Sequence, residues 1–216
     1  MPLSQQLQER HRDLWDRMVT HPFVREMGAG TLPPEKFRGY FLQDYVFLRD
    51  FVTLLALGVA KAPSMDVARR LATFMAEVLQ GEESLFRGAF RDWGLAPERY
   101  THPEPGPTAK AMGDMMARIA YGGGFPEILT VLVVTEWTYL DWATRLSRSG
   151  MPADPVQRRW VEIHCNAEFR GFVEWLITVL DSLALTDEQR GRVGRLFLAT
   201  LRYEVAFWEA AYRGEA

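Results

Sequence analysis

The chain has 216 residues, 48% of them apolar and 25% charged, enough for one domain with a large core and ordinary for a globular protein. Lys and Arg number 25 against 28 for Asp and Glu, and a net charge of −3 argues against nucleic acid or an anionic membrane as partner. The one cysteine, Cys165, excludes an internal disulfide framework and a cysteine-based zinc cluster.

Apolar residues recur with helical period along nearly the whole chain. A first amphipathic helix is predicted over 4–20, with Ser4 as its N-cap. Its mixture of charged and apolar residues does not read as a signal peptide. Residues 21–36 read as a connection with a glycine-rich middle. A second helix follows to about Lys61, with Pro33 or Pro34 in its first turn. Pro63 breaks it, and Ser64 can cap a third helix reaching about Trp93. Residues 94–108 carry four prolines and form the longest irregular loop. Further helices are expected at 108–121, 125–149, 154–182 and 186–213, the last opened by a capping box from Thr186 to Gln189. No strand pattern, repeat or dividing linker interrupts this order. The expected fold class is therefore all-α, a single bundle of seven or eight helices in one domain over 1–216. The longest apolar stretch, 125–143, is interrupted by Glu136, so no membrane span is expected and the cytoplasm is the default compartment.

Five acidic residues lie where helical faces should be apolar: Asp44, Glu82, Glu136, Glu168 and Glu204. Around Asp44, one face carries Phe37, Tyr40, Phe41, Phe47, Leu48 and Phe51. Around Glu136 it carries Leu129, Leu132, Val133, Tyr139 and Leu140, and around Glu204 it carries Phe197, Leu201, Phe207 and Trp208. Burying a carboxylate costs several kcal/mol unless it is paired or neutralised. Several in one chain point to a polar pocket inside the bundle.

Other chemistries fit less well. There is no phosphate-binding loop, and the glycines at 122–124 read as a helix break. A bundle di-iron site needs Glu-x-x-His pairs on two helices. Here only His164 falls inside a predicted helix beside candidate ligands, with Glu168 at i+4 and Glu136 and Glu82 elsewhere. One inward histidine is too few, so no metal and no cofactor is expected. Cys165 adjoins His164, but neighbouring helical residues diverge by about 100°, and the cysteine reads as structural. Among the aromatic residues, Tyr45, Phe47 and Tyr139 flank the acidic positions and are candidates for lining a pocket.

The order of segments resembles the TenA family, which includes thiaminase II and aminopyrimidine aminohydrolases. The resemblance rests on His21-Pro-Phe-Val, on Gly30-Thr-Leu-Pro-Pro-Glu-Lys-Phe and on Tyr40-Phe-Leu-Gln-Asp-Tyr near the N-terminus. Downstream it rests on Gly81-Glu-Glu, Thr135-Glu-Trp-Thr-Tyr, the Trp160–Phe169 segment and Tyr203-Glu-Val-Ala-Phe-Trp. It spans nearly the whole chain. It implies a haem-oxygenase-like α-helical fold, a homo-oligomer (dimer or tetramer) and salvage of thiamin pyrimidines. Four positions depart from the family pattern. Thr135 stands at the nucleophilic cysteine, Phe47 at the tyrosine that tunes it, and Met112 and His164 at two further pocket tyrosines. Asp44, Tyr139 and Glu204 are kept. The chain thus resembles the branch that lacks the active-site cysteine and uses carboxylates.

The resulting expectation is hydrolysis of a C–N bond on an aminopyrimidine or its N-formylated derivative. Glu204 would be the acid and Glu136 the base. Asp44 would hold the ring, with Tyr139, Phe47, Trp208, Thr135, Met112, His164 and Glu82 around the substrate. Two alternatives stay open: a pyrimidine-binding protein without turnover, and a different oxygen- or metal-dependent enzyme on the same scaffold.

Overall fold

The computed structural model describes residues 1–102 and 104–215; Pro103, one of the four loop prolines, lies outside the described residues. Every predicted helical stretch is present, and no strand occurs among the described residues. In chain order the helices are α1 (Leu3–Arg10), α2 (Arg12–Val19), α3 (Pro22–Ala29), α4 (Pro34–Ala60), α5 (Met65–Glu77), α6 (Glu83–Asp92), α7 (Glu98–Thr101), α8 (Pro107–Gly122), α9 (Phe125–Ser149), α10 (Pro155–Ile163), α11 (Ala167–Ser182) and α12 (Asp187–Arg213). A single π-helical turn, Val78–Glu82, joins α5 to α6.

The centre of the bundle is α9. A helix apolar on all sides belongs inside a protein, and residues from Ile128 to Glu136 are all buried. α11 and α12 pack on α9, while α4 packs on α8, α5 and α12. Gly113 lets α8 approach α4, because a Cβ there would meet the Asp50 carboxylate at 2.5 Å. No helix among the described residues is long and apolar enough to cross a membrane.

The local stop and start signals act largely as read. The Ser64 side chain accepts from the Val67 amide, and Thr186 and Gln189 form the reciprocal capping box. Six expectations are corrected. The predicted third helix is interrupted by the π turn, and the proline-rich loop carries the short helix α7. The first helix breaks at His11 into α1 and α2. Ser4 is not a cap: it lies within α1, where its amide and hydroxyl both donate to Asp181, at 2.8 and 2.6 Å. The segment after His21 is helical rather than a connection, because His21 Nδ1 accepts from the Phe23 amide and Pro22 fits the first turn. The stretch 154–182 is two helices, since Asn166 caps a new start by accepting from the Phe169 amide at 2.7 Å.

Candidate functional site

A cavity of about 50 Å³ lies between α4, α8, α9 and α12, with residues of the π turn and the α10–α11 junction on one side. Its acidic lining is Asp44, Glu82, Glu136 and Glu204, and its apolar walls are Phe47, Leu48, Phe51, Met112 and Met116. Thr135, Tyr139 and His164 complete it. The fold therefore brings together nine of the ten residues expected at the site.

Each carboxyl arrives from a different element. Asp44 projects from the middle of α4, Glu136 from the buried stretch of α9 and Glu204 from α12. Glu82 ends the π turn, a distortion that often marks functional positions in helices. Asp44 is 7% exposed and Glu204 2%. Glu204 Oε1 has no hydrogen-bond partner, although a buried polar atom normally has one.

Burial in apolar surroundings and mutual repulsion raise the pKa values of these carboxyls. Burial pushes Glu136 up to about 8, helped by the nearby Glu82 and partly offset by the Thr135 hydroxyl. Burial raises Glu82 to about 7. Glu204 is held well above the usual carboxyl range by burial and by Glu136. Asp44 is raised well by burial and then by Glu82, Glu204 and Glu136, with the Tyr40 hydroxyl pulling the other way.

A hydrogen-bonded chain fixes Asp44 from behind. The Trp160 indole N–H can only donate, and it donates to the Tyr40 oxygen at 3.0 Å. The Tyr40 hydroxyl in turn donates to Asp44 Oδ2 at 3.4 Å and lies 3.0 Å from the Tyr139 hydroxyl. Tyr139 is thereby tied to the same chain while lining the cavity. Thr135 Oγ1 bonds the carbonyls of Val131 and Leu132 and lies 3.0 Å from Glu136 Oε1.

Two expected placements do not hold. Trp208 is not a cavity wall. It is 1% exposed, donates its indole N–H to Met18 Sδ at 2.8 Å, and stacks behind Tyr139 at 6.1 Å between ring centres. Glu168 is not inside the bundle: it is exposed in the first turn of α11, because the helix restarts at Ala167 and changes the face it presents. The same break takes His164 out of a helix and makes it the cap residue of α10. Cys165 is half-buried, its thiol pKa is raised by burial, and it stands apart from both carboxyl cavity and nucleophile chemistry.

Leu48 and Phe51 in the walls and Tyr40 behind Asp44 belong to the face expected around Asp44, although none is among the expected site residues, and Met116 has no place in the sequence expectation. Leu48 and Tyr40 stand four residues either side of Asp44, and Met116 stands four beyond Met112, so helical spacing carried the signal.

The sequence model of the TENA/THI-4/PQQC family matches residues 8–214. The chain is 30% identical over 216 residues to a protein of Helicobacter pylori named aminopyrimidine aminohydrolase, covering 99% of this chain and 100% of that one. Its structure superposes on a TenA homologue from P. horikoshii with a TM-score of 0.89 at 28% identity, covering 99% and 100% of the two chains. A domain from Shewanella denitrificans with a haem-oxygenase-like fold superposes with a TM-score of 0.77 at 16% identity over 98% of this chain and 92% of that one, a likeness of fold alone.

Proposed function

The chain belongs to the TENA/THI-4/PQQC family, and from that premise we propose that it hydrolyses an exocyclic C–N bond of an aminopyrimidine, or of its N-formylated derivative, without a cysteine nucleophile. The observation that carries this reading is the cavity in which Asp44, Glu136 and Glu204 converge, with Glu204 Oε1 lacking any protein partner. The relative named aminopyrimidine aminohydrolase supports the substrate class.

In this mechanism the pyrimidine lies between Phe47 and the Met112 side, with Tyr139 across the cavity. A carboxyl kept neutral by burial can donate to a ring nitrogen while its carbonyl oxygen accepts from the adjacent amine. Asp44 has that state and is held in place by Tyr40. Glu136, raised by burial to about 8, acts as the base in its ionised form, with the substrate nitrogen uncharged. It then takes a proton from water, whose oxygen forms the new C–O bond. Glu204 gives its proton to the departing nitrogen as the C–N bond breaks. Proton exchange between the two carboxyls resets the site. Thr135 is a positioning group here, since a threonine without an activating base is a poor nucleophile and its hydroxyl is engaged by backbone carbonyls.

The test is ammonia release from the aminomethyl aminopyrimidine and amine or formate release from its formylamino counterpart. Glu204→Gln is expected to lower kcat by roughly 10²–10⁴-fold, the usual worth of a positioned acid. Thr135→Ala is expected to stay within a few-fold of the parent. Full activity in Glu204→Gln would overturn the assignment. Tight binding with no turnover of either compound would instead favour a binding protein. A cytoplasmic homo-oligomer belongs to the same reading and is tested by the mass of the purified protein in solution.

A further inference from the structure

Beside the carboxyl-lined cavity runs an outer groove, formed by Phe74, Glu77, Val78, Leu85, Arg159 and Phe169 among others. The two spaces share three lining residues: Glu82, Glu136 and His164. This junction exists because the helix pattern fails twice at one level of the bundle, at the π turn and at the α10–α11 break.

The state of His164 follows from its contacts. Its Nδ1 lies 2.8 Å from the Trp160 carbonyl oxygen. A carbonyl only accepts, so Nδ1 carries the hydrogen. The ring is 6% exposed and packed by Tyr139, Trp160 and Phe169, at 5.0, 4.4 and 5.2 Å between centres. Burial pushes its pKa down to about 4, so at neutral pH it is an uncharged imidazole. Nε2 is therefore a bare lone pair, and no described protein group donates to it. The ring lines both spaces, so a ligand in either can supply the donor that Nε2 lacks.

We propose that His164 is a specificity-determining residue whose Nε2 accepts a hydrogen bond from the N–H of a substrate's amine or amide substituent, where that substituent passes from the inner cavity into the outer groove. This inference rests on the pyrimidine reading above and narrows it to aminopyrimidines that bear such an N–H. With its N–H bond directed at His164, the nitrogen is held in one orientation about the bond to be broken. The arrangement favours nitrogen over oxygen at that position, since an ether or ester oxygen would set a second lone pair against Nε2.

The test compares two neutral ligands of one shape, the 5-formylaminomethyl and 5-formyloxymethyl aminopyrimidines, which differ by N–H against oxygen. Binding is measured by titration calorimetry in a Glu204→Gln background, where turnover is suppressed. The amide is expected to bind about tenfold more tightly than the ester, the worth of one buried hydrogen bond against a clash of acceptors. His164→Phe is expected to reduce that ratio to about one, by weakening the amide and relieving the ester of its clash, and retained ester binding also reports that the fold is intact. His164→Gln, which keeps an acceptor near the Nε2 position, is expected to restore most of the ratio. A ratio unchanged in His164→Phe, or equal weakening of both ligands, overturns this inference alone. Binding of neither ligand to a protein with His164 in place overturns the pyrimidine reading and this inference with it.

Discussion

A half-buried carboxyl and a buried one in this molecule differ in how their oxygens are answered. Where α1 meets α11, Asp181 is answered on both oxygens, by the Ser4 amide at 2.8 Å and the Ser4 hydroxyl at 2.6 Å. Where α12 faces the cavity, Glu204 is buried more deeply and one of its oxygens is answered by nothing. A satisfied carboxylate ties helices together. An unsatisfied one, surrounded by other carboxyls, stores a demand for a donor or for a proton. The comparison separates the part of the polar interior that holds the fold from the part available for chemistry.

The largest effect that could break this contrast is the loss of turnover in Glu204→Gln described above, with the melting temperature kept or raised. A collapse of the fold in that variant would mean that Glu204 is structural after all. Next is Asp44→Ala. It should weaken pyrimidine binding by about 10-fold to 100-fold, in line with a buried hydrogen-bonding group worth about 1.5–3 kcal/mol. The measurement is the ligand-induced rise in melting temperature, and an undiminished rise would remove Asp44 from the binding site.

A third prediction concerns pH. Glu136 has a folded pKa of about 8 against an ordinary value of 4.5. The native state then holds a proton that the unfolded state has released, so stability falls as pH rises across roughly 4.5 to 8. Glu136→Gln removes that loss. The variant should gain on the parent by a few kcal/mol at pH 8 and by almost nothing near pH 4.5. Urea midpoints at the two pH values check this, and a gain that is the same at both would refute it. On the satisfied side, Ser4→Ala should cost about 1–2 kcal/mol by leaving Asp181 without its donor hydroxyl, with kinetic constants unchanged. The smallest effect is Thr186→Ala, which opens the capping box of α12 for about 1 kcal/mol and leaves the cavity alone. A change in kcat in either variant would show that the two kinds of site are coupled.

Much of the site was legible before folding. Asp44, Glu136 and Glu204 stood out because each interrupts an apolar helical face, and that conflict survives in the structure as burial. Phe47 and Tyr139 flank those positions in the sequence, and the TenA resemblance implied Met112 and Thr135 beside them; all four line the cavity. Trp208 and Glu168 show where the reasoning stopped. Trp208 lies on the same helix as Glu204, four residues on, yet the adjacent space is filled by Tyr139 and Phe23, so it became core. Glu168 would face inward only if one helix ran unbroken through 154–182. Asn166, an N-cap type two residues earlier, was the sign that the helix restarts there.

The sequence by itself determined the class of the fold, the length and order of most helices, several of their caps, and the presence of carboxyls that would have to be buried. These are local properties, set by periodicity, proline and capping chemistry within a few residues. Only the tertiary structure decided which carboxyls share a cavity, that Tyr40 braces Asp44 through Trp160, that Ser4 answers Asp181, and that His164 stands at the meeting of two spaces with a free lone pair. Those contacts join residues up to 177 positions apart. Their geometry depends on how whole helices pack, which no window of sequence contains.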